Sequence, residues 1–171
     1  MPHSSDSPLI TGQTHAAPQI SASAHFIAVD GIDGVGKSTQ IQALECLLVD
    51  RGIPSLTTRD PGTSEIGRRL RALLLESDLT MHRRTEAMLF MASRCEMVET
   101  TIRPALSSGR SVITDRFLLA NVVYQSVGVE GGCVSPDLLW QMGELANGGL
   151  RPGLTLLLDM PAERAMNRIQ G

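Results

Sequence analysis

Phe26-Ile-Ala-Val-Asp-Gly31-Ile-Asp-Gly-Val-Gly36-Lys37-Ser38-Thr39 reads as three pieces in order. Phe26 to Asp30 is a short apolar run rich in strand formers. Gly31, Gly34 and Gly36 then punctuate a loop. From Ser38 to Asp50, Ile41, Leu44, Leu47 and Leu48 recur at helical spacing, and Arg51-Gly52 ends the helix. The loop matches G-x-x-x-x-G-K-[ST], and a strand before it with a helix after it is the context that motif needs. Glycines let the backbone turn tightly and aim several N–H groups inward. Those groups and the positive end of the helix hold phosphate oxygens. Gly31, Ile32, Asp33, Gly34, Val35, Gly36, Lys37, Ser38 and Thr39 therefore form a candidate phosphate cradle. Lys37 brings a mobile point charge to β/γ-phosphates, and Ser38 offers a hydroxyl to a divalent cation such as Mg²⁺. Lys37 is the single lysine beside fourteen arginines, which favours function over composition.

Outward from this stretch, strands and helices alternate. Ile53–Thr58 reads as a strand and Ser64–Glu76 as a helix. Arg83–Ser107 reads as one long helix bent in its last turn by Pro104. Ser111–Thr114 is a strand, Pro136–Ala146 a helix and Leu154–Leu158 a strand, and a further helix opens at Pro161. That alternation predicts an α/β fold, a mostly parallel sheet with helices on both faces. Ligands of such sheets bind beyond the carboxyl ends of the strands, here Asp30-Gly31, Arg59-Asp60, Asp115-Arg116 and Asp159.

The sequence divides into residues 1–24, rich in Ser, Ala and Pro and expected to be a disordered extension, and a single domain over 25–171. A net charge of −3 argues against a protein that coats nucleic acid. No apolar run approaches the roughly 20 residues of a membrane span. Cys46, Cys95 and Cys133 show no metal or disulfide spacing, so they are expected as small core residues in a reducing cytoplasm.

A guanine-reading N-K-x-D segment needs a second lysine, so a GTPase is excluded. The domain has the size of a small-molecule kinase, whose acceptor site must lie in the remaining residues. Phe90 and Arg94 stand four apart on the long helix, about 40° apart around its axis, so both are expected to reach one pocket. Asp115-Arg116 ends an apolar strand, and Arg59 ends another.

These segments, FIAVDGIDGVGKSTQ, TRDPGTSEIGRRLRALLL, LFMASRCEMVETTIRPAL, VITDRFLLANVVYQ and LRPGLTLLLDMPAERAMNR, occur in the order found in bacterial thymidylate kinases. The sequence resembles that family over nearly the whole domain. The resemblance implies a P-loop nucleoside monophosphate kinase fold, ATP and Mg²⁺ as donor and cofactor, dTMP as acceptor, and a homodimer. It implies that Phe90 stacks on the thymine and Arg94 hydrogen-bonds it. Arg116 and Arg59 hold the acceptor phosphate, and Lys37, Arg116 and Asp33 serve the transfer. Asp33 also meets the sugar 3′-hydroxyl. Asn121, Tyr124 and Gln125 lie beside the base and deoxyribose, with the tyrosine excluding a 2′-hydroxyl. Ser38 and Asp115 serve the metal.

The sequence departs from the family pattern at Asp60, where glutamate is usual, and at Thr63, Ala120 and Gly153. It also stops at Gly171, where the family enters a mobile lid, so missing helices are expected to uncover apolar sheet surface. The resemblance implies that glycine at position 34 goes with a compensating arginine in that lid, and Arg164 and Arg168, where the region begins, read as helix-surface charges. A truncated, catalytically silent nucleotide-binding module and a related kinase with another acceptor base are the competing expectations.

Overall fold

Phe26–Asp30 forms strand β1, and Lys37–Asp50 forms helix α1 directly after the glycine loop. This is a computed structural model, and it describes residues 20–21, 23–76, 78–127 and 133–170. The expected extension therefore lies outside the described residues at 1–19 and 22. At its near end, the Ser21 N–H donates to the Leu106 carbonyl at 3.3 Å, and Ala24 packs against the core.

The remaining elements are β2 (Ser55–Arg59), α2 (Glu65–Leu75), α3 (Arg83–Met97), α4 (Arg103–Ser107), β3 (Ser111–Asp115), α5 (Leu118–Ser126), α6 (Pro136–Asn147), β4 (Leu154–Leu157) and α7 (Ala162–Gln170). The four strands are parallel in the order β2-β3-β1-β4. Val29 is paired with Asp115 in β3 and with Leu156 in β4, which aligns the carboxyl ends.

Alternation along β1 separates two apolar layers. Phe26 and Ala28 join Val112, Met97, Ile102 and Leu139 in the larger core under α3 to α6. Val29 and Ile113 point to the opposite face, where Ile41, Leu44 and Leu48 of α1 cover them. Leu47, which fits the same helical spacing, turns outward and is exposed. The edge strand β4 is exposed along its length, Leu154, Leu156 and Leu157 included.

The long helix is not uniform. Between α3 and α4, Val98–Ile102 is one π-helical turn, and the Arg103 N–H reaches back to the Val98 carbonyl. Pro104 follows that turn directly; Ile102 and Arg103 keep helical dihedrals, so the chain stays helical through the irregularity, and Pro104 offers no N–H to the turn before it. Ser64 caps α2 by accepting from the Gly67 N–H, and Ser135 caps α6 through the Leu138 N–H. Buried Arg103 donates to the Asn147 carbonyl at 3.0 Å and ties α4 to the end of α6. Pro161 precedes α7, and its carbonyl accepts from Arg164 and Ala165.

The three cysteines are exposed, contrary to their expected place in the core. Cys46 falls on the outer side of α1, and Cys95 on the side of α3 that faces solvent, so helical phase overrides the apolar character of the thiol. Arg164 and Arg168 are exposed on α7. Among the described residues, no helix is long and apolar enough to cross a membrane.

Candidate active site at the carboxyl rim

The chain leaves β1 toward β2 on one side of the sheet and leaves β3 toward β4 on the other. The crevice between the ends of β1 and β3 is thus the switch point where such sheets take ligands. The glycine loop and Arg116 both stand there. The Arg116 N–H donates to the Val29 carbonyl at 2.9 Å, and the Thr114 hydroxyl donates to the Arg116 carbonyl at 2.8 Å. These bonds hold Arg116 at φ 68°, a left-handed conformation that non-glycine residues rarely adopt.

Gly36 precedes α1 at φ 103°. Lys37 is buried, and its Nζ donates to the carbonyls of Gly31 at 3.0 Å and Ile32 at 2.9 Å. Burial and the nearby Arg116 charge lower its pKa below that of an ordinary lysine, opposed by Asp33 and Asp115. Ser38 and Thr39 are exposed at the mouth of the helix. Asp33 is exposed and bridges the two cations, 2.7 Å from Arg116 Nη2 and 3.5 Å from Lys37 Nζ. Burial alone would raise its carboxyl; the Arg116 hydrogen bond and both charges outweigh it, so the pKa lies below the usual carboxylate value. Asp30 is buried, its carboxyl pushed up by desolvation. The charge of Arg116 and the backbone N–H groups of Phe117 and Gly31 oppose that shift, so Asp30 joins the loop to the turn after β3.

Gly34 sits at φ 79°, and a Cβ there would overlap the Ala165 carbonyl of α7. Gly34→Ala is expected to destabilise the fold by about 1–3 kcal/mol through that overlap and the unfavourable φ. Thermal melting of the variant checks this, and an unchanged melting temperature would contradict the close approach.

Beside the loop lies a cavity of about 310 Å³. Of the residues expected at the acceptor site, Asp33, Arg59, Phe90, Arg116, Asn121, Tyr124 and Gln125 line it. Cations gather at one end: Arg116 lies over the Tyr124 ring at 5.1 Å, and Arg59 Nε is 3.6 Å from Asp115. Amides gather elsewhere on the wall. Asn121 Nδ2 donates to Gln125 Oε1 at 3.1 Å, and Asn121 Oδ1 is buried without a partner. Such a cavity can take an anion at its arginines and a flat, polar-edged ring beside Phe90.

Arg94 is not among the lining residues. It is fully buried behind the wall, where Asp60 Oδ2 accepts from both its Nε and its Nη2. Its guanidinium lies 5.2 Å from the centre of the Phe117 ring. The four-residue spacing puts Arg94 on the same side of α3 as Phe90, and the charge of Asp60 then turns it under the wall.

Sequence reasoning missed Arg71, Arg83 and Glu86, which also line the cavity. Arg71 Nη1 donates to the Pro61 carbonyl at 3.1 Å, and burial beside Arg59 lowers its pKa. Arg83 pairs with Glu86 at 2.7 Å, one turn before Phe90 on α3. Helical phase was the available signal, since Arg83, Glu86 and Phe90 share one stripe of that helix.

Asp30, Asp33, Ser38 and Asp115 all bring oxygens to the loop or its edge, and Asp30 Oδ2 and Asp115 Oδ1 are buried without a partner. No group of three or more His, Cys, Asp or Glu side chains among the described residues could hold a metal. Two hard oxygen ligands fit Mg²⁺, which keeps several waters and relies on substrate phosphates.

The sequence model of the family described as Thymidylate kinase matches residues 29–171. A thymidylate kinase of Rhodopirellula baltica is 56% identical over 171 residues, which are all of this chain and 65% of the relative. The chain thus spans just under two thirds of that protein. A thymidylate kinase of Symbiobacterium thermophilum is 45% identical over 147 residues, covering 85% of this chain and 67% of the relative. The crystal structure of thymidylate kinase from Ehrlichia chaffeensis superposes with a TM-score of 0.71 at 28% identity, covering 86% of this chain and 82% of that one. The glycine loop, the switch-point crevice and the match over residues 29–171 agree: this chain belongs to the thymidylate kinase family.

Proposed function

We propose that the chain transfers the terminal phosphoryl group of ATP to dTMP, giving ADP and dTDP. The observation that carries the reading is the single cavity that joins Asp33 and Arg116, at the glycine loop, to Phe90, Asn121 and Gln125. An acceptor phosphate is already an anionic nucleophile at neutral pH. Catalysis then reduces to in-line positioning and neutralisation of phosphoryl oxygens.

In this reading residues 31–39 hold the ATP phosphates, and Lys37 carries charge to the transferred group. Arg59 and Arg116 clamp the acceptor phosphate, with Asp33 between the two anions and toward the sugar 3′-hydroxyl. Phe90 stacks on the base, with Asn121 and Gln125 at its polar edge and Arg94 behind the wall. Tyr124, beside Arg116, excludes a 2′-hydroxyl. Ser38 and Asp115 would hold Mg²⁺, which supplies charge neutralisation at the phosphate oxygens when bound. A cytoplasmic, homodimeric enzyme completes the proposal; exposed Leu138 and Leu145 on α6 and Met88 on α3 support a second copy, and sedimentation tests it.

The decisive experiment measures ADP release from ATP with dTMP, dUMP, dGMP and thymidine as acceptors. Turnover is expected to favour dTMP. Equal rates with all four acceptors, or ATP binding with no transfer to any, would overturn the reading.

A further inference from the structure

The Asp60–Arg94 pair is closed off from solvent, with relative exposures of 2% and 0%. Asp60 Oδ2 takes two of the guanidinium hydrogens, and Met91 Sδ accepts from Nη1 at 3.2 Å. The other Asp60 oxygen, Oδ1, is buried without a partner. Buried ion pairs are weak sources of stability, because desolvating both charges offsets their attraction. An orphaned carboxylate oxygen adds a further cost. Stability therefore explains this pair poorly, and its location suggests another use. Asp60 follows β2 and lines the cavity, as does Phe117, whose ring packs on the Arg94 guanidinium. Asp60 is also anchored by its backbone, its N–H donating to the Asp115 carbonyl at 3.0 Å. A carboxylate fixed to the sheet thus sets the angle of a guanidinium carried on α3.

We propose that Asp60 is a positioning residue for acceptor recognition: it acts on the base end of the cavity through Arg94 and Phe117. This rests on the functional reading above and adds a specificity element to the same cavity. The net-neutral pair leaves that wall without free charge.

The test is a double-mutant cycle on dTMP affinity in the purified chain, by calorimetry, with ATP affinity and melting temperature recorded alongside. Asp60→Asn is expected to weaken dTMP binding about tenfold or more, the effect of disturbing hydrogen bonds to a charged group, while ATP binding is unchanged. Asp60→Glu is expected to recover most of the loss. In an Arg94→Met background, Asp60→Asn is expected to add less than about a twofold change, because its route to the ligand is gone. The uncharged double variant also keeps the test informative if Asp60→Asn alone fails to fold, since its dTMP affinity must then equal that of Arg94→Met. Wild-type dTMP affinity in Asp60→Asn, or full additivity in the double variant, would overturn the proposal alone. A wild-type chain that binds ATP but no dTMP would overturn the functional reading and this proposal together.

Discussion

Lys37→Ala is expected to reduce phosphoryl transfer about 10²–10³-fold, the scale for losing one preorganised charged donor at a reacting group. The chain has no other lysine to substitute for it. Lys37 Nζ lies inside the loop, satisfied by the Gly31 and Ile32 carbonyls and by Asp33. Those partners hold the ammonium within the loop, so a phosphate cradled there meets a charge already in place. Lys37→Arg is expected to fail nearly as badly, since a planar guanidinium is too large for a site shaped around a compact ammonium. Steady-state ADP release with dTMP, set beside ATP affinity, checks both variants. Retained turnover in Lys37→Ala would remove the loop from the mechanism.

Arg116→Ala is expected to lower kcat/KM for dTMP by about 10³-fold, the lower end for an arginine that stabilises phosphoryl-transfer charge. The side chain joins Asp33 at the loop to Tyr124 on the cavity wall, so its loss disconnects the two halves of the cavity. Arg116→Gly separates chemistry from backbone. At φ 68° glycine relieves a strain of about 1 kcal/mol that alanine retains, so Arg116→Gly should melt higher than Arg116→Ala and be equally inactive. Recovery of activity in the glycine variant would mean that the turn, and not the guanidinium, does the work.

The Asp33 carboxyl adds a pH signature to Arg116. Its pKa is lowered in the folded chain, so its contribution to stability is present above the ordinary carboxylate value and is lost as pH falls through the folded one. Without Arg116 that loss is expected to begin at higher pH. Melting curves across the acid range compare the two proteins.

Much of this was legible along the chain. β1, the glycine loop and α1 follow one another as their residues imply, with α1 opening at Lys37. Asp33, Arg59, Phe90, Arg116, Asn121, Tyr124 and Gln125 share one cavity because strand ends and helix phase place them there. Pro104 marked an irregularity near the end of the long helix, but its form, a π-helical turn over Val98–Ile102, was not legible. Arg71, on α2, joins the cavity wall only through the packing of α2 beside α3.

Strand, loop and helix follow from the order of apolar residues and glycines alone, because the period of a pattern and the need for positive φ are local properties. The sequence by itself therefore determined the phosphate loop and the parallel layering. Only the tertiary structure decided which way Arg94 faces. Its partner Asp60 is 34 positions away, and charge pairing in a dry interior depends on distance in space rather than along the chain.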